Sequence, residues 1–453
     1  MATKEFPLVC EKVEPVKTKY RNICTEIPVP DSIPILEKLR QVEPRSMGGQ
    51  PPIIWDHGEG FTISDAYGNT WLDFSAGVLV TSSGHGHKAI VKAIQDMAGQ
   101  GLYHAYGFPT EIRCKLAAKI VSLLPAPLSR VFLLTTGSEA TECCIKLAKT
   151  NGRKVGGAKK NVIVSFENGF HGRTMGAQLA GGSAALKDWL DDDASFVQVP
   201  FPDGFRQKDT SFAVFEKALA EMGISADDVC GVIGETYQGA NAALFPAEYA
   251  QALRKWCTAH KAVLIFDEVQ AGFGRTGKPF GFMHFGVVPD LAACGKGISG
   301  GMPLSAVVGI EELMTLYGPG EMTSTHSANT VCSAAALANI EVIEKEGLVE
   351  NAAKLESVLL DGIKKIQSVS KGRIGHVAAA GLVGAMQFTK EGTTDPDPDP
   401  AWEVVRRSVQ KGVMLFAPVG VGGCCIKVNP PLNITADALE EGLGVIREVV
   451  ESL

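Results

Sequence analysis

Lys296 stands alone in "VPDLAACGKGISGGMP" (288–303), flanked by glycines and almost without other polar side chains nearby. An amine in such surroundings reads as desolvated, and desolvation lowers a lysine's pKa and makes it usable as a nucleophile or base. The competing reading is an ordinary surface lysine. Upstream, "AVLIFDEVQAGFGRTG" (262–277) ends an apolar run on two adjacent acids, Asp267 and Glu268. A carboxylate at the end of a buried strand needs a cationic or protonated partner, and a structural ion pair with an arginine is the plain alternative. A third stretch, "TTGSEATE" (135–142), closes one strand and opens a helix. Gly137 lets the backbone come close to a ligand, Ser138 can cap the helix, and the free amides there suit an anion such as phosphate. A plain helix cap is the bland reading. A phosphate cradle, a strand-end aspartate and a buried lysine together describe a pyridoxal-phosphate site: the lysine for the Schiff base, the aspartate for the pyridine nitrogen, the helix end for the phosphate.

The elements that must position these groups are legible as an alternation. "RVFLLTTG" (130–137), "KNVIVSF" (160–166), "VCGVIGE" (229–235) and "AVLIFDE" (262–268) are aliphatic runs, each closing on a polar or glycine-containing turn. Helix-period segments such as 138–150 and 246–261 separate them, which predicts an α/β domain with a mainly parallel sheet. In open sheets of this kind ligands sit beyond the carboxyl ends of the strands, where the three groups above fall. Residues 51–77 alternate around Gly and Asn and predict an antiparallel meander. The first fifty or so residues carry several prolines and weak periodicity and are expected to wrap another element. After about residue 330 a helical pattern leads to a short mixed part, in which "DPDPDP" (395–400) reads as a solvated loop.

Composition narrows the function classes. The chain has 453 residues, enough for more than one domain. Its 45% hydrophobic and 21% charged content is ordinary for a globular protein. A formal charge of −7 argues against nucleic acid as a partner. No window predicts a membrane span, and the charged N-terminus lacks a signal-peptide core, so a cytoplasmic location is expected. The eleven cysteines read as buried thiols rather than disulfides, the adjacent pairs Cys143–Cys144 and Cys424–Cys425 included. No zinc spacing occurs, and His85 and His87 in "GHGH" (84–87) read as a glycine-rich loop rather than a metal site. "GKGISGG" fails as a nucleotide P-loop, because position 290 is Asp and position 297 is Gly.

With these motifs in place the chain resembles the class III, or ω-amino acid, aminotransferases of the fold-type-I pyridoxal-phosphate family, of which 4-aminobutyrate aminotransferase is a representative. The resemblance runs from about residue 50 to the C-terminus. "FDEVQAGFGRTG" followed by "PDLAACGKGISGGMPLSAVVG" carries it most specifically, with "TTGSEATE", "GFHGRTMGA" and "TSTHSANTVCSAAALA" in the expected order. It implies three parts: an N-terminal segment (1–80) packing with the small domain, a large cofactor-binding domain (81–330), and a small α+β C-terminal domain (331–453). It further implies that Lys296 bears the cofactor and acts as the proton-transfer base. Asp267 would pair with the ring nitrogen, Gln270 would lie near the ring hydroxyl, and Gly137 and Ser138 would hold the phosphate. Phe170 resembles the aromatic that stacks on the ring, core packing being the alternative, and Glu235 resembles an acid close to the cofactor. Thr325 resembles the threonine that reaches the phosphate of a neighbouring subunit, which implies a homodimer with shared sites, or a tetramer of such dimers.

The resemblance also bears on substrate. Arg173 in "FHGRT" coincides with the arginine that takes the distal carboxylate in 4-aminobutyrate-type enzymes; a loop arginine facing a neighbouring subunit is the other reading. Many family members carry "QGEGG" with a glutamate that neutralises a second arginine. Here the stretch is "ETYQGANAA" (235–243), with Ala240 at the glutamate position and Lys427 where the arginine is expected. Both halves of that switch are altered, which leaves open 2-oxoglutarate, pyruvate or another 2-oxo acid as acceptor. The expected activity is a ping-pong transfer of an amino group from an ω-amino acid to a 2-oxo acid. An amino-acid racemase or epimerase on the same fold is the alternative.

Overall fold

The computed structural model describes residues 4–191, 193–240 and 243–453. The chain divides into two compact units, one of Lys88–Val349 and one of Met1–His87 with Glu350–Leu453.

The first unit is built on seven strands: β1 (Leu128–Leu134), β2 (Val162–Phe166), β3 (Phe196–Val199), β4 (Val229–Glu235), β5 (Val263–Asp267), β6 (Leu291–Cys294) and β7 (Ser305–Ile310). Their order across the sheet is β1-β7-β6-β5-β4-β2-β3. β3, β2, β4, β5 and β6 run parallel to one another, and β7 lies antiparallel to both β6 and β1. The sheet is therefore mainly parallel, as the alternation predicts. Strands β2, β4 and β5 are buried along their whole length, which is why they read as unbroken aliphatic runs rather than as alternation. The helix Gly137–Gly156 lays Ala140, Cys144, Leu147 and Ala148 on one stripe, all buried with Ile163, Ile233, Val263 and Ile265 of the sheet. Three strands were not expected from sequence: β3, β6 and β7.

In the second unit, His57–Glu59, Thr62–Ser64 and Thr70–Asp73 form the expected antiparallel meander. Val413–Met414 adds to it in parallel, and the Trp71 indole N–H donates to the Val409 carbonyl at 2.8 Å. A separate antiparallel sheet joins Ile374–Ala380, Val383–Phe388 and Cys425–Val428. "DPDPDP" is only half a loop: Pro398 opens the helix Pro398–Gln410, so the last three residues form its first turn. Proline is well suited to that position, because its missing N–H is one the helix could not use.

After Asp73 the backbone makes a left-handed turn: Ala76, Gly77, Val78 and Leu79 have φ of 47°, 57°, 66° and 63°. Asp73 Oδ1 accepts from Ser75 N (2.8 Å), Ser75 Oγ (2.6 Å) and Ala76 N (3.1 Å), which pins its entry. Asp73 Oδ2 meets His85 Nε2 at 2.7 Å, so His85 of "GHGH" has an acid for a partner. Among the described residues no group of three or more His, Cys, Asp or Glu is placed to hold a metal ion. No helix is long and apolar enough to cross a membrane. All eleven cysteines are free thiols, and both adjacent pairs are buried.

Candidate active site

The carboxyl ends of β4, β5 and β6 bring Glu235, Asp267 and the Gly295–Lys296 turn side by side, because these strands are adjacent and in parallel register: Asp267 sits opposite Glu235 and Ala293. Beside them lies the start of the helix after β1. The result is a cavity of about 160 Å³ lined by Gly137, Ser138, Phe170, Asp267, Gln270 and Lys296, together with His171, Gly172 and Val269.

Lys296 opens a one-turn 3-10 helix with a left-handed φ of 42°, preceded by the extended Gly295. Its side chain is half-buried and makes no hydrogen bond among the described residues. Burial pushes its pKa down, against the opposing pull of Asp267 and Glu235, and the net displacement is downward. The amine is thus biased toward its neutral, nucleophilic form.

Asp267 is buried, and its partner is not an arginine. Its Oδ2 lies 2.8 Å from His171 Nδ1, and Oδ1 accepts from Val269 N at 2.9 Å. The neighbouring Glu268 points to the other side of the strand, as period-two alternation requires. There it accepts from Gly281 N and Phe282 N, both at 2.8 Å, and burial raises its pKa to about 7. The two adjacent acids therefore have different tasks, and only Asp267 faces the cavity.

Glu235 accepts from Phe170 N (2.8 Å) through Oε1, and from Gly239 N (2.9 Å) and Gln270 Nε2 (3.3 Å) through Oε2. Burial raises its pKa; His171 opposes that shift and Asp267 adds to it. Glu235 does not line the cavity but ties down Phe170 and Gln270, which do.

The helix end departs from expectation in one respect. The cap is Thr136, whose side chain accepts from Glu139 N at 3.2 Å, while Glu139 Oε2 accepts from Thr135 N at 2.9 Å. This reciprocal pair frees Ser138, whose Oγ accepts from Arg173 N at 3.3 Å and faces the cavity. A Cβ on Gly137 would stand 3.0 Å from Val269 Cγ1, and one on Gly295 would stand 3.3 Å from the same methyl. Glycine at both positions lets the helix end and the lysine turn close on Val269.

Phe170 is 38% exposed rather than a core residue. The Arg173 guanidinium lies over the ring, 5.5 Å from its centroid, within cation–π range. Arg173 is exposed and does not line the cavity. Thr325 is exposed in the turn before the helix Thr330–Lys345, and it too is outside the cavity; its neighbour Ser324 donates to Glu139 Oε1 at 2.7 Å. Ala240 follows the Tyr237–Gln238 strand, and Lys427 is buried in Cys425–Val428 of the other unit.

His171 and Val269 were missed from sequence. His171 sits between Phe170 and Arg173 in "GFHGRT", and the demand of Asp267 for a protonated partner was the signal that could have found it. A larger groove, about 970 Å³, runs past Asp188, Asp191, Asp193 and Lys187. It shares no residue with the cavity, and Lys187 is occupied by the Leu179 carbonyl and Gln198.

Known proteins resemble this chain along most of its length. The family described as aminotransferase class-III matches residues 45–450. The 4-aminobutyrate aminotransferase of Mycobacterium leprae (strain TN) is 32% identical over 444 residues, 95% of this chain and 98% of that one. An alanine/serine racemase of Pyrococcus horikoshii is 29% identical, over 97% of this chain and 94% of that one. The crystal structure of a Bacillus anthracis aminotransferase superposes with a TM-score of 0.85 at 27% identity, covering 93% of this chain and 99% of that one.

Proposed function

We propose a substrate class and residue roles for this chain, which belongs to the class III aminotransferase family and is a pyridoxal-phosphate-dependent transaminase. The donor is an ω-amino acid of the 4-aminobutyrate type and the acceptor a 2-oxo acid. The supporting observation is that one cavity is lined by Lys296, Asp267, Phe170, Gln270, Gly137 and Ser138. These residues suit the cofactor: an acidic partner for a pyridine nitrogen, an aromatic face, an amide for a ring hydroxyl, and a glycine-lined helix end for a phosphate.

Pyridoxal phosphate, when bound, supplies an aldehyde for the amine and a ring that accepts the electron pair left on the amine-bearing carbon. The chain's own groups do the rest. Lys296 Nζ holds the cofactor between turnovers. It takes the proton from the donor's amine-bearing carbon and returns one to the acceptor's carbon in the second half of the cycle. Asp267 keeps a proton on the ring nitrogen, and Gln270 orients the ring oxygen. Phe170 covers one ring face, and Glu235 holds Phe170 and Gln270 in place. Gly137 and Ser138 take the phosphate, joined by Thr325 from a second copy of the chain. A homodimer is part of that reading; the cofactor is carried by a large domain (81–330), preceded in sequence by an N-terminal segment (1–80) and followed by a small domain (331–453), and the protein is placed in the cytoplasm.

Arg173 binds the donor's distal carboxylate bidentately, from a position beside the Phe170 ring. Lys427 attracts the acceptor's carboxylate as a point charge, with Ala240 in place of a neutralising acid. The test is the spectrum of the yellow, cofactor-loaded protein mixed with a panel of amines and no oxo acid. Loss of the yellow band with 4-aminobutyrate but not with an uncharged alkylamine supports the assignment. Arg173→Ala should cut that preference by about tenfold or more, the worth of a charge-assisted pair. An unchanged preference removes Arg173 from the role.

A second reading has one observation in its favour: the similarity to a protein named alanine/serine racemase, in a chain whose Ala240 and Lys427 depart from the family switch. Solvent deuterium appearing at the α-carbon of alanine or serine, with inversion and no oxo acid, would move that reading ahead.

A further inference from the structure

Glu142 lies on the helix Gly137–Gly156, one turn beyond Ser138 and on the same face. It is half-buried, does not line the cavity, and has no part in the chemistry described above. Its Oε1 accepts from Thr174 Oγ1 at 2.6 Å and from Ala177 N at 3.1 Å. Thr174 is the cap of the short helix Met175–Ala180 but makes no side-chain cap bond of its own. A carboxylate from the neighbouring helix thus takes a free amide at that helix start, the task a capping side chain would otherwise perform. A Cβ on Gly176 would collide with Glu142 Oε2, so glycine there lets the acid come this close. One turn back, Ser138 Oγ accepts from Arg173 N at 3.3 Å. The backbone at Arg173 is therefore held at two adjacent points, its own amide on Ser138 and the hydroxyl of the next residue on Glu142.

We propose that Glu142 is a positioning residue for substrate choice: by clamping Thr174 and Ala177 it fixes where Arg173 stands, and so favours donors whose distal carboxylate meets that guanidinium. The inference rests on the reading of Arg173 given above. Two features support it. Arg173 is exposed, and among the described residues its guanidinium enters no ion pair; it lies over the Phe170 ring. Glu142, the acid bonded to the very next residue, is committed to Thr174 and Ala177 and leaves the guanidinium to a carboxylate from outside. An arginine with a fixed backbone and an unpaired fork is what bidentate recognition of a carboxylate needs. Placement matters here, because a shift of about 1 Å in a group that orients a substrate can cost about 100-fold.

The test is the donor half-reaction of the cofactor-loaded protein, followed as loss of the yellow band at increasing 4-aminobutyrate. In Glu142→Ala the concentration giving half-maximal rate should rise about tenfold, while the maximal rate and the affinity for cofactor stay within about twofold of the parent. Glu142→Gln keeps an acceptor oxygen for Thr174 and Ala177 and should stay within about threefold in all three quantities. In an Arg173→Ala background, Glu142→Ala should add nothing. An unchanged half-maximal concentration in Glu142→Ala, an effect that persists without Arg173, or a matching loss of cofactor affinity would overturn the positioning role. If 4-aminobutyrate does not react, or Arg173→Ala is itself silent, the substrate reading fails and the clamp is judged by hydrogen exchange. Residues 170–180 should then exchange about tenfold faster in Glu142→Ala than in Glu142→Gln, and equal rates would overturn the clamp as well. If Glu142→Ala does not fold, Thr174→Val decides, since it removes one of the two bonds. It should raise the half-maximal concentration about threefold, and a parent-like value counts against the proposal.

Discussion

Gly137→Ala tests how tightly the helix end, the lysine turn and Val269 are fitted. The added methyl would stand 3.0 and 3.2 Å from the two Val269 methyls, closer than such contacts normally come. Val269 is β-branched, and its amide is bonded to Asp267 Oδ1, so it has little freedom to turn away. Two effects oppose each other. Alanine is favoured over glycine within a helix by about 1 kcal/mol, and overpacking costs about 1–3 kcal/mol. The expected net is a loss of about 0–2 kcal/mol in unfolding free energy. An effect on the cavity is expected as well, since Val269 lines it. Cofactor affinity should fall about tenfold, roughly the 1.4 kcal/mol of displacing one methyl into a filled site. The assay is a double-mutant cycle: cofactor titration and denaturant unfolding of Gly137→Ala, Val269→Ala and the pair. Removing the valine methyls should rescue the alanine, with a coupling energy of at least about 1 kcal/mol. Additive effects, or a Gly137→Ala protein that binds cofactor as tightly as the parent, would refute the argument.

Thr136→Ala removes the cap of the same helix and should cost about 1 kcal/mol, read as a lower denaturant midpoint with unchanged slope. Glu268 gives a pH dependence with a definite sign. Its proton is held in the folded protein up to about pH 7 and released from the unfolded chain near 4.5, so its contribution falls as pH rises through that window. The loss is about 3 kcal/mol, and Glu268→Gln should flatten that part of the stability curve; a slope that survives the substitution assigns it elsewhere. Val78 holds a left-handed φ of 66° while 43% exposed, so Val78→Gly should relieve strain at little cost in buried surface and raise unfolding free energy by about 1 kcal/mol. A destabilised Val78→Gly protein would mean that the valine side chain is held by contacts worth more than the strain.

The strands that the sequence made legible are the ones whose apolar runs are unbroken. β2, β4 and β5 are short aliphatic stretches ending in polar or glycine-containing turns, and their length and β-branched content favour a strand over a buried helix; β1 shares the ending but is only partly buried. β6 was hidden because "LAAC" lacks β-branched residues, and β3 because an edge strand is only half covered. Asp267 and Lys296 could be singled out because each is anomalous where it stands, an acid closing an apolar run and an amine among glycines. Ser138 lies in the cavity as expected, but it is not the helix cap. Thr135, Thr136 and Ser138 are all competent caps, and only the exact end of β1 decides that Thr136 takes the role. His171 illustrates a different limit. Nothing in the spacing of "GFHGRT" says which strand end the histidine will meet, since that depends on β2 and β5 lying on either side of β4.

The antiparallel placement of β7 also governs orientation at the cavity. A parallel neighbour for β6 would require a crossover, and such crossovers usually bring a helix whose amino end opens above the sheet. Because β7 runs the other way, the chain returns through the short segment 295–304, and Lys296 rides on a turn. The helix amino end that lines the cavity is then that of Gly137–Gly156, and its positive pole acts from one side only. On the proposed reading, a ligand with one anionic group lies with that group at Gly137 and its far end toward Asp267. A single reversed strand thus gives the cavity its compass bearing.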